Sequence, residues 1–373
     1  MLSLTLLAGT AACGAGGGDT IYIGVAGPLS AANGISMKRA AEMAVAEINR
    51  DGGIRGDSIV LVFKDDGADP QKAIQVASEL KGDPGIVAVI GHVNSSASLR
   101  AATIYNADDD IGAPVLQISP ASSAPALRQA GPWTFRVTPT DLEFSPALAA
   151  HARGMALSRA AVVYANDDYG QGVRNTFERA FRSGGGTVVA ADPYLPAVLE
   201  QGTELDPYLM RAMGRGADAL VIGGQAAEGV KIIQAARRLG FRGPILGSDG
   251  LTSAKDAGPV AEGVFVSSAF LPDRPDTAAQ RFVAAYRQAY NSLPDHRGAM
   301  AYDIVHLLAR AIEEAGTDRQ ALRDYVARIG LEDGVPAHPG VSGVIAFDTA
   351  GDVRNKPVTV GVVRGGQLVT ARR

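Results

Sequence analysis

From residue 21 onward the chain alternates two periodicities. Short β-branched or apolar runs are each followed by a stretch whose apolar residues recur every three to four positions, and then by another run. This alternation constrains the fold more than any other feature. Strands separated by helices must be joined by crossovers, and right-handed crossovers make neighbouring strands parallel. Strands are expected at 21–25, 59–64, 86–90, 115–118, 160–164, 187–191, 219–222, 245–246, 264–267, 344–347 and 358–363. Most are nearly continuous apolar runs, as required of strands covered on both faces. Between them, Met37, Ala41, Ala44 and Ile48 form one helical stripe, and Ile304, Leu307, Leu308 and Ala311 another. Phe282, Val283, Tyr286 and Tyr290 form a third, with Thr277 and Gln280 at capping-box spacing ahead of them.

Eleven strands are many for one open, twisted sheet, and 373 residues suit two domains at roughly 150 residues each. The expected fold class is α/β, with two doubly wound parallel-sheet lobes joined by a hinge. Pro- and Asp-rich connectors stand at Pro139-Thr140-Asp141 and at Leu271-Pro272-Asp273-Arg274-Pro275. The expected division is a leader at 1–19, one lobe from 20–140 plus 273–348, and a second from 141–272 plus 349–373. The two halves read as one unit used twice.

Composition narrows the function classes. The net charge is −4 and no basic cluster occurs, which disfavours nucleic acid and a polybasic membrane surface as partners. One cysteine rules out an internal disulfide framework. Five scattered histidines with that cysteine show no zinc-ligand spacing, so no metal is expected. The turn after the first strand, Gly24-Val25-Ala26-Gly27-Pro28, does not match a dinucleotide fingerprint. Neither a P-loop nor a G-x-S-x-G elbow is present, so no cofactor and no catalytic residue is nominated, and an enzyme is not expected. His92, His306 and the acidic run Asp108-Asp109-Asp110 read as structural or solvated groups.

The leader reads MLSLTLLAGTAACGAGGGD. Leu2 to Ala12 is apolar and small, and too short to span a bilayer. It resembles the apolar core and cleavage site of a signal peptide. Ending in Thr10-Ala11-Ala12-Cys13 before a Gly-rich tether, it is similar to a bacterial lipoprotein signal, although it lacks a Lys or Arg and has Thr10 where Leu is usual. The resemblance implies an extracytoplasmic protein, in the periplasm or on the outer face of the membrane, lipid-anchored through Cys13.

Two strand ends carry the polar groups that point to a ligand. Gly91-His92-Val93-Asn94-Ser95-Ser96 follows one apolar strand and precedes a helical stretch, placing Ser95 and Ser96 at a helix N-terminus. Unpaired N–H groups and the helix dipole suit a carboxylate or phosphate there. Plain N-capping by either serine accounts for the segment equally well. The next strand runs into Ser119-Pro120-Ala121-Ser122-Ser123. Two consecutive serine-rich strand ends would converge on one crevice, because open α/β sheets bind ligands outside the carboxyl ends of their strands. Asp249, in Gly247-Ser248-Asp249-Gly250, lies just past another strand. Asp141 lies in the first connector, and Tyr169 in Asn166-Asp167-Asp168-Tyr169-Gly170. A carboxylate at a strand end can hold an ammonium group, though each Asp alone is more often a turn residue.

The segments GHVNSSASLRAATIYNADDDIGAPVLQISPASSAPAL, FRVTPTD and AAVVYANDDYGQG resemble the periplasmic leucine/isoleucine/valine-binding proteins. IGVAGPLSAANGISMKRAAEMAVAEIN and AYDIVHLLARAIEEAG fit as well, so the resemblance spans about residues 20–370. It implies a type I periplasmic-binding-protein fold and the receptor of an ATP-driven (ABC) importer. Such a receptor is expected as a monomer with a membrane permease as partner, taking a small amino acid of branched-chain type or a related zwitterion. Position by position, it implies that Ser95 binds the ligand carboxylate and that the Ala121 carbonyl and Ser123 hydroxyl bind its ammonium. Asp249 falls where the family has an ammonium-binding acid, Asp141 lies near the ligand, and Tyr169 closes over it. Gln225 stands where the family often has an aromatic residue and Asn33 where it has Tyr, so the side-chain pocket is more polar than in the family. The alternative expectation is a sensor of the same fold, holding an amide or small organic acid. An α/β enzyme is the third and least supported.

Overall fold

The computed structural model describes residues 18–199 and 203–372, so the Cys13 motif lies outside the described residues. The first lobe is built on a five-stranded sheet. Its strands are β1 (Thr20–Gly27), β2 (Ser58–Asp65), β3 (Ile86–Ile90), β4 (Leu116–Ser119) and β5 (Thr134–Arg136), with helices α1 (Ala32–Arg50), α2 (Pro70–Gly82) and α3 (Ser95–Tyr105) between them. The order is β2-β1-β3-β4-β5 and every pairing is parallel.

The chain then enters α4 (Asp141–Gly154) and the second lobe. There β6 (Arg159–Ala165), α5 (Asp168–Ser183), β7 (Thr187–Tyr194), α6 (Asp206–Gly214), β8 (Ala219–Gly223), α7 (Ala226–Arg238), β9 (Ile245–Gly247) and β10 (Phe265–Ser268) alternate. It returns to the first lobe for α8 (Thr277–Tyr290), α9 (His296–Ala315) and α10 (Arg319–Ala327). Finally it crosses again to add β11 (Thr359–Arg364) and β12 (Gln367–Thr370) to the second sheet, whose order is β12-β11-β10-β9-β8-β6-β7.

The two doubly wound lobes match the expectation, with one correction at an edge. β11 pairs antiparallel with both β10 and β12. A two-residue loop, Gly365-Gly366, joins β11 to β12, and both glycines have positive φ, 55° and 73°. Such a turn closes a hairpin and cannot make a crossover. Residues 344–347 form no strand. Ile345 and Phe347 make isolated bridges to His338 and Val353 and bury their side chains in the first lobe. β5 is only three residues long, and the apolar-run criterion passed over it. The cap of α8 is also shifted: the Asp276 carboxylate accepts from the Ala279 N–H, one position ahead of the Thr277 spacing.

The cores follow from the periodicities. Met37, Ala41 and Ala44 of α1 pack with Ile23, Val25 and Ile90 of the sheet and with Ile304 and Leu308 of α9. Residues more than 250 positions apart thus share one core, which is why the first lobe is complete only after α9 has returned. Phe177 and Phe181 of α5 stack at 5.2 Å between ring centres in a second-lobe core with Val162 and Val221.

Candidate functional site

The loops after β3 and β4 face the loops after β6 and β9 across the crevice between the lobes. In the first lobe the backbone carbonyl of His92 ties two loops together. It accepts from Ser119 Oγ (2.7 Å), Ser98 Oγ (3.1 Å) and Ser122 Oγ (3.3 Å). The His92 ring is fully buried between Asp66 (2.6 Å) and the Tyr105 hydroxyl (3.3 Å). Its role is to hold backbone in place.

That frame presents Ser95 and Ser123. Ser95 opens α3, and its hydroxyl accepts from the Ala124 N–H (3.2 Å), which leaves its own proton to donate. Ser123 is wholly buried; its carbonyl accepts from the Asp141 N–H (2.9 Å), while its hydroxyl faces the Asp141 carboxyl. Ala121 is buried in the same loop. Ser122 bonds with Ser98 Oγ (2.6 Å) and the Val93 carbonyl (3.1 Å), so its hydroxyl serves the loop framework. Ser96 donates to Asp168 Oδ2 (2.7 Å) in the second lobe, which makes it a contact between lobes. Asn33, half-buried near the start of α1, lies 3.5 Å from the Asn94 side-chain oxygen at the start of α3.

Two carboxylates face these serines. Asp141 begins α4 behind a Thr140–Glu143 capping box, which fixes the helix start. It is completely buried, and the Ser123 hydroxyl beside it offsets that burial only in part. Burial first, and then the Asp249 charge, push its carboxyl well above the ordinary aspartate range. Asp249, 2% exposed, accepts from the Tyr169 hydroxyl (3.1 Å) and from Ser248 Oγ (3.2 Å). The Tyr169 oxygen in turn accepts from the Gly250 N–H (2.8 Å). Burial and then the neighbouring Asp249 and Asp141 raise the phenol well above its usual range, so it is a donor at all ordinary pH. Gly172 of α5 lies directly against the Asp141 carboxylate, where a Cβ would collide with it. Gly172→Ala is therefore expected to displace Asp141 and to lower stability by about 1–3 kcal/mol, the usual cost of overpacking. Unchanged thermal unfolding would contradict that packing.

The crevice also holds groups that the strand-end reading missed. His296 and Arg297 open α9 and are 0% and 1% exposed. His296 Nε2 lies 3.6 Å from Asp249 Oδ2. Arg297 Nη1 donates to Thr252 Oγ1 (2.9 Å) and pairs with Asp295 (3.1 Å), while Nη2 reaches the Gln225 side-chain oxygen (3.4 Å) in the second lobe. Burial opposes ionisation of Asp295, yet Arg297, His296 and the Gly298 N–H hold its carboxyl below the usual value. One sequence signal could have found them: Arg297 stands in the first turn of a helix, where a cation opposes the dipole.

Ser95, Ser123, Asp141, Tyr169 and Asp249 are thus brought together, with Gln225 beside Arg297. Among the described residues no group of three His, Cys, Asp or Glu side chains could hold a metal ion, and no helix is long and apolar enough to cross a membrane.

Residues 20–367 match the family described as periplasmic binding protein. The Leu/Ile/Val-binding protein homolog 3 of Brucella melitensis is 28% identical over 358 residues, covering 94% of this chain and 93% of that one. A solved ABC transporter substrate-binding protein of Desulfitobacterium hafniense, in complex with Leu, is 32% identical with a TM-score of 0.78, over 95% of this chain and 100% of that chain. A solute-binding protein of R. palustris in complex with benzoate shares the fold, with a TM-score of 0.82 at 21% identity over 94% of this chain and 95% of its own.

Proposed function

The chain belongs to the periplasmic binding protein family, and from that premise we propose that it is the extracytoplasmic receptor of an ATP-driven importer. Its ligand is a small amino acid, of branched-chain type or with a related side chain, enclosed between the lobes by hinge closure. The observation that carries this reading is the opposition of charges across the crevice. On one side stands a helix N-terminus with the Ser95 hydroxyl, suited to a carboxylate. Facing it are two buried carboxylates, Asp141 and Asp249, suited to an ammonium. A zwitterion satisfies both at once, and its ammonium gives the buried Asp141 carboxyl the cationic partner that the neighbouring Ser123 hydroxyl cannot supply. The contact between Ser96 and Asp168 supports closure of one lobe on the other.

In this reading the protein works as a monomer, delivers its ligand to a membrane permease, and is anchored through Cys13. The second reading is a sensor of the same fold for an amide or small organic acid, which the polar side chains of Gln225 and Asn33 favour. Calorimetry on ligand-stripped protein with the common amino acids tests the proposal, and absence of binding by all of them would remove it. Retention in the membrane fraction that disappears in Cys13→Ser tests the anchor.

Binding is expected to release a proton. The Asp141 carboxyl is raised by burial and by Asp249, so above the ordinary aspartate value of about 3.9 it stays protonated in the empty crevice. A ligand ammonium beside it favours the ionised form and draws the value down. Affinity therefore rises with pH between the ordinary value and the raised one. Without ligand the sign reverses. Stability is complete below the ordinary value and declines as pH rises toward the raised one, because the unfolded chain ionises first. Equal binding heats in buffers of different ionisation enthalpy would exclude this linkage.

A further inference from the structure

The crevice offers three kinds of polar group. The helix N-terminus at Ser95 is positive, the carboxyls of Asp141 and Asp249 suit an ammonium, and next to Asp249 come His296 and Arg297. The first two positions suffice for a bare zwitterion. The third adjoins Asp249 through His296 and the second lobe's Gln225 through Arg297, which leaves it for whatever the ligand carries besides its amino and carboxylate groups.

Building this third position is unfavourable for the protein alone. Arg297 is buried at the start of a helix, where the dipole disfavours a cation. Asp295 neutralises its charge and accepts from Nη1 (3.1 Å) but leaves Nε without a partner. Arg297 Nε and His296 Nε2 are buried and have no hydrogen-bond partner among the described residues; the nearest carboxylate oxygen to His296 Nε2, at 3.6 Å, is beyond hydrogen-bond distance. Unsatisfied buried donors destabilise a fold. The Arg297–Gln225 contact of 3.4 Å uses the Gln225 oxygen and leaves its amide NH2 as a second donor beside Arg297 Nε. Thr252 Oγ1 gives its proton to the Asp249 carbonyl (2.9 Å) and so takes the His296 Nδ1–H (3.4 Å), and His296 Nε2 joins these donors when the ring is protonated. An aliphatic side chain placed against these groups would bury them without a partner. An acceptor oxygen would satisfy them.

We infer that Arg297, His296 and Gln225 form a side-chain subsite selecting an amino acid whose side chain ends in a carboxylate or carboxamide oxygen. This rests on the amino-acid reading of the crevice and narrows it. The shared chemistry is an acceptor oxygen a few bonds from the α-carbon, and the two sources are separated by the probes.

The test is calorimetry on ligand-stripped full-length protein with leucine, valine, aspartate, glutamate, asparagine and glutamine. At least one of the last four is expected to bind tenfold or more tighter than leucine. Preference for aspartate or glutamate identifies the carboxylate, and preference for asparagine or glutamine the carboxamide. Arg297→Lys keeps a positive charge for Asp295 but lacks the Nε donor and the planar fork. It is expected to reduce the ratio of that preferred affinity to the leucine affinity at least tenfold, as is His296→Ala. Leucine or valine binding as tightly as all four polar ligands would overturn the subsite while leaving the amino-acid receptor standing. An unaltered ratio in both variants would also overturn it. No binding by any of the six would overturn subsite and receptor reading together.

Discussion

Asp249→Asn is expected to weaken amino-acid binding by about 2–5 kcal/mol, a loss of roughly 30-fold to several thousand-fold, because the buried ammonium would lose its charged partner. The substitution keeps the shape of the side chain. An asparagine oxygen can still accept from the Tyr169 hydroxyl, as Asp249 does at 3.1 Å. The empty protein should not be destabilised. Asp249 is one of two buried carboxylates whose mutual repulsion raises Asp141, and removing its charge relieves that repulsion. Affinity and stability are therefore expected to move independently, which separates loss of a ligand contact from damage to the fold. A ligand carrying only a carboxylate would bind the variant as well as or better than the parent. Ser95→Ala should cost less, about 1–3 kcal/mol, since one hydroxyl donor is lost while the backbone donors of α3 remain. Wild-type amino-acid affinity in Asp249→Asn would refute the placement of the ammonium.

Arg136→Met is expected to lower stability by about 3–5 kcal/mol, the usual result of removing one partner from a buried ion pair. The side chain is 1% exposed at the end of β5. It donates to Asp352 through Nε (2.6 Å) and through Nη1 to the carbonyls of Ala124 (2.7 Å) and Ser122 (3.2 Å). These carbonyls flank Ser123, so Arg136 aims the loop expected to meet the ammonium. It also fastens Asp352, on the segment that returns toward β11, to the last strand before α4. Asp352 keeps a second partner in Arg128 at 2.9 Å, which favours the lower end of the range. Arg136→Lys is expected to recover part of the stability but not the affinity. One ammonium cannot reproduce the fork that holds a carboxylate and two carbonyls. Thermal unfolding together with calorimetry checks both halves, and a variant as stable as the parent would show that Arg136 is dispensable.

How far the site could be read from the sequence depended on range. Ser95 and Ser123 were legible because each lies directly after an apolar strand, and strand ends in such sheets face ligands. Asp249 was legible for the same reason. His296 and Arg297 follow no strand. They reach the crevice only because α9, which begins 201 residues after Ser95, packs beside α1. Ser96 and Ser122 have the residue type and spacing of ligand donors, yet their hydroxyls go to Asp168 and to the loop framework. Which of several adjacent serines turns toward the crevice is set by the three-dimensional path of the loop.

Local periodicity by itself determined the two parallel-sheet lobes, since an apolar run buried on both faces and an amphipathic helix each have a sequence signature of a few residues. Only the tertiary structure decided the antiparallel edge of the second sheet, the burial of 344–347 without a strand, and the meeting of His296 and Arg297 with Asp249 and Gln225. Those outcomes depend on contacts between residues far apart in the chain, which burial and charge pairing stabilise only once both lobes are folded and face one another.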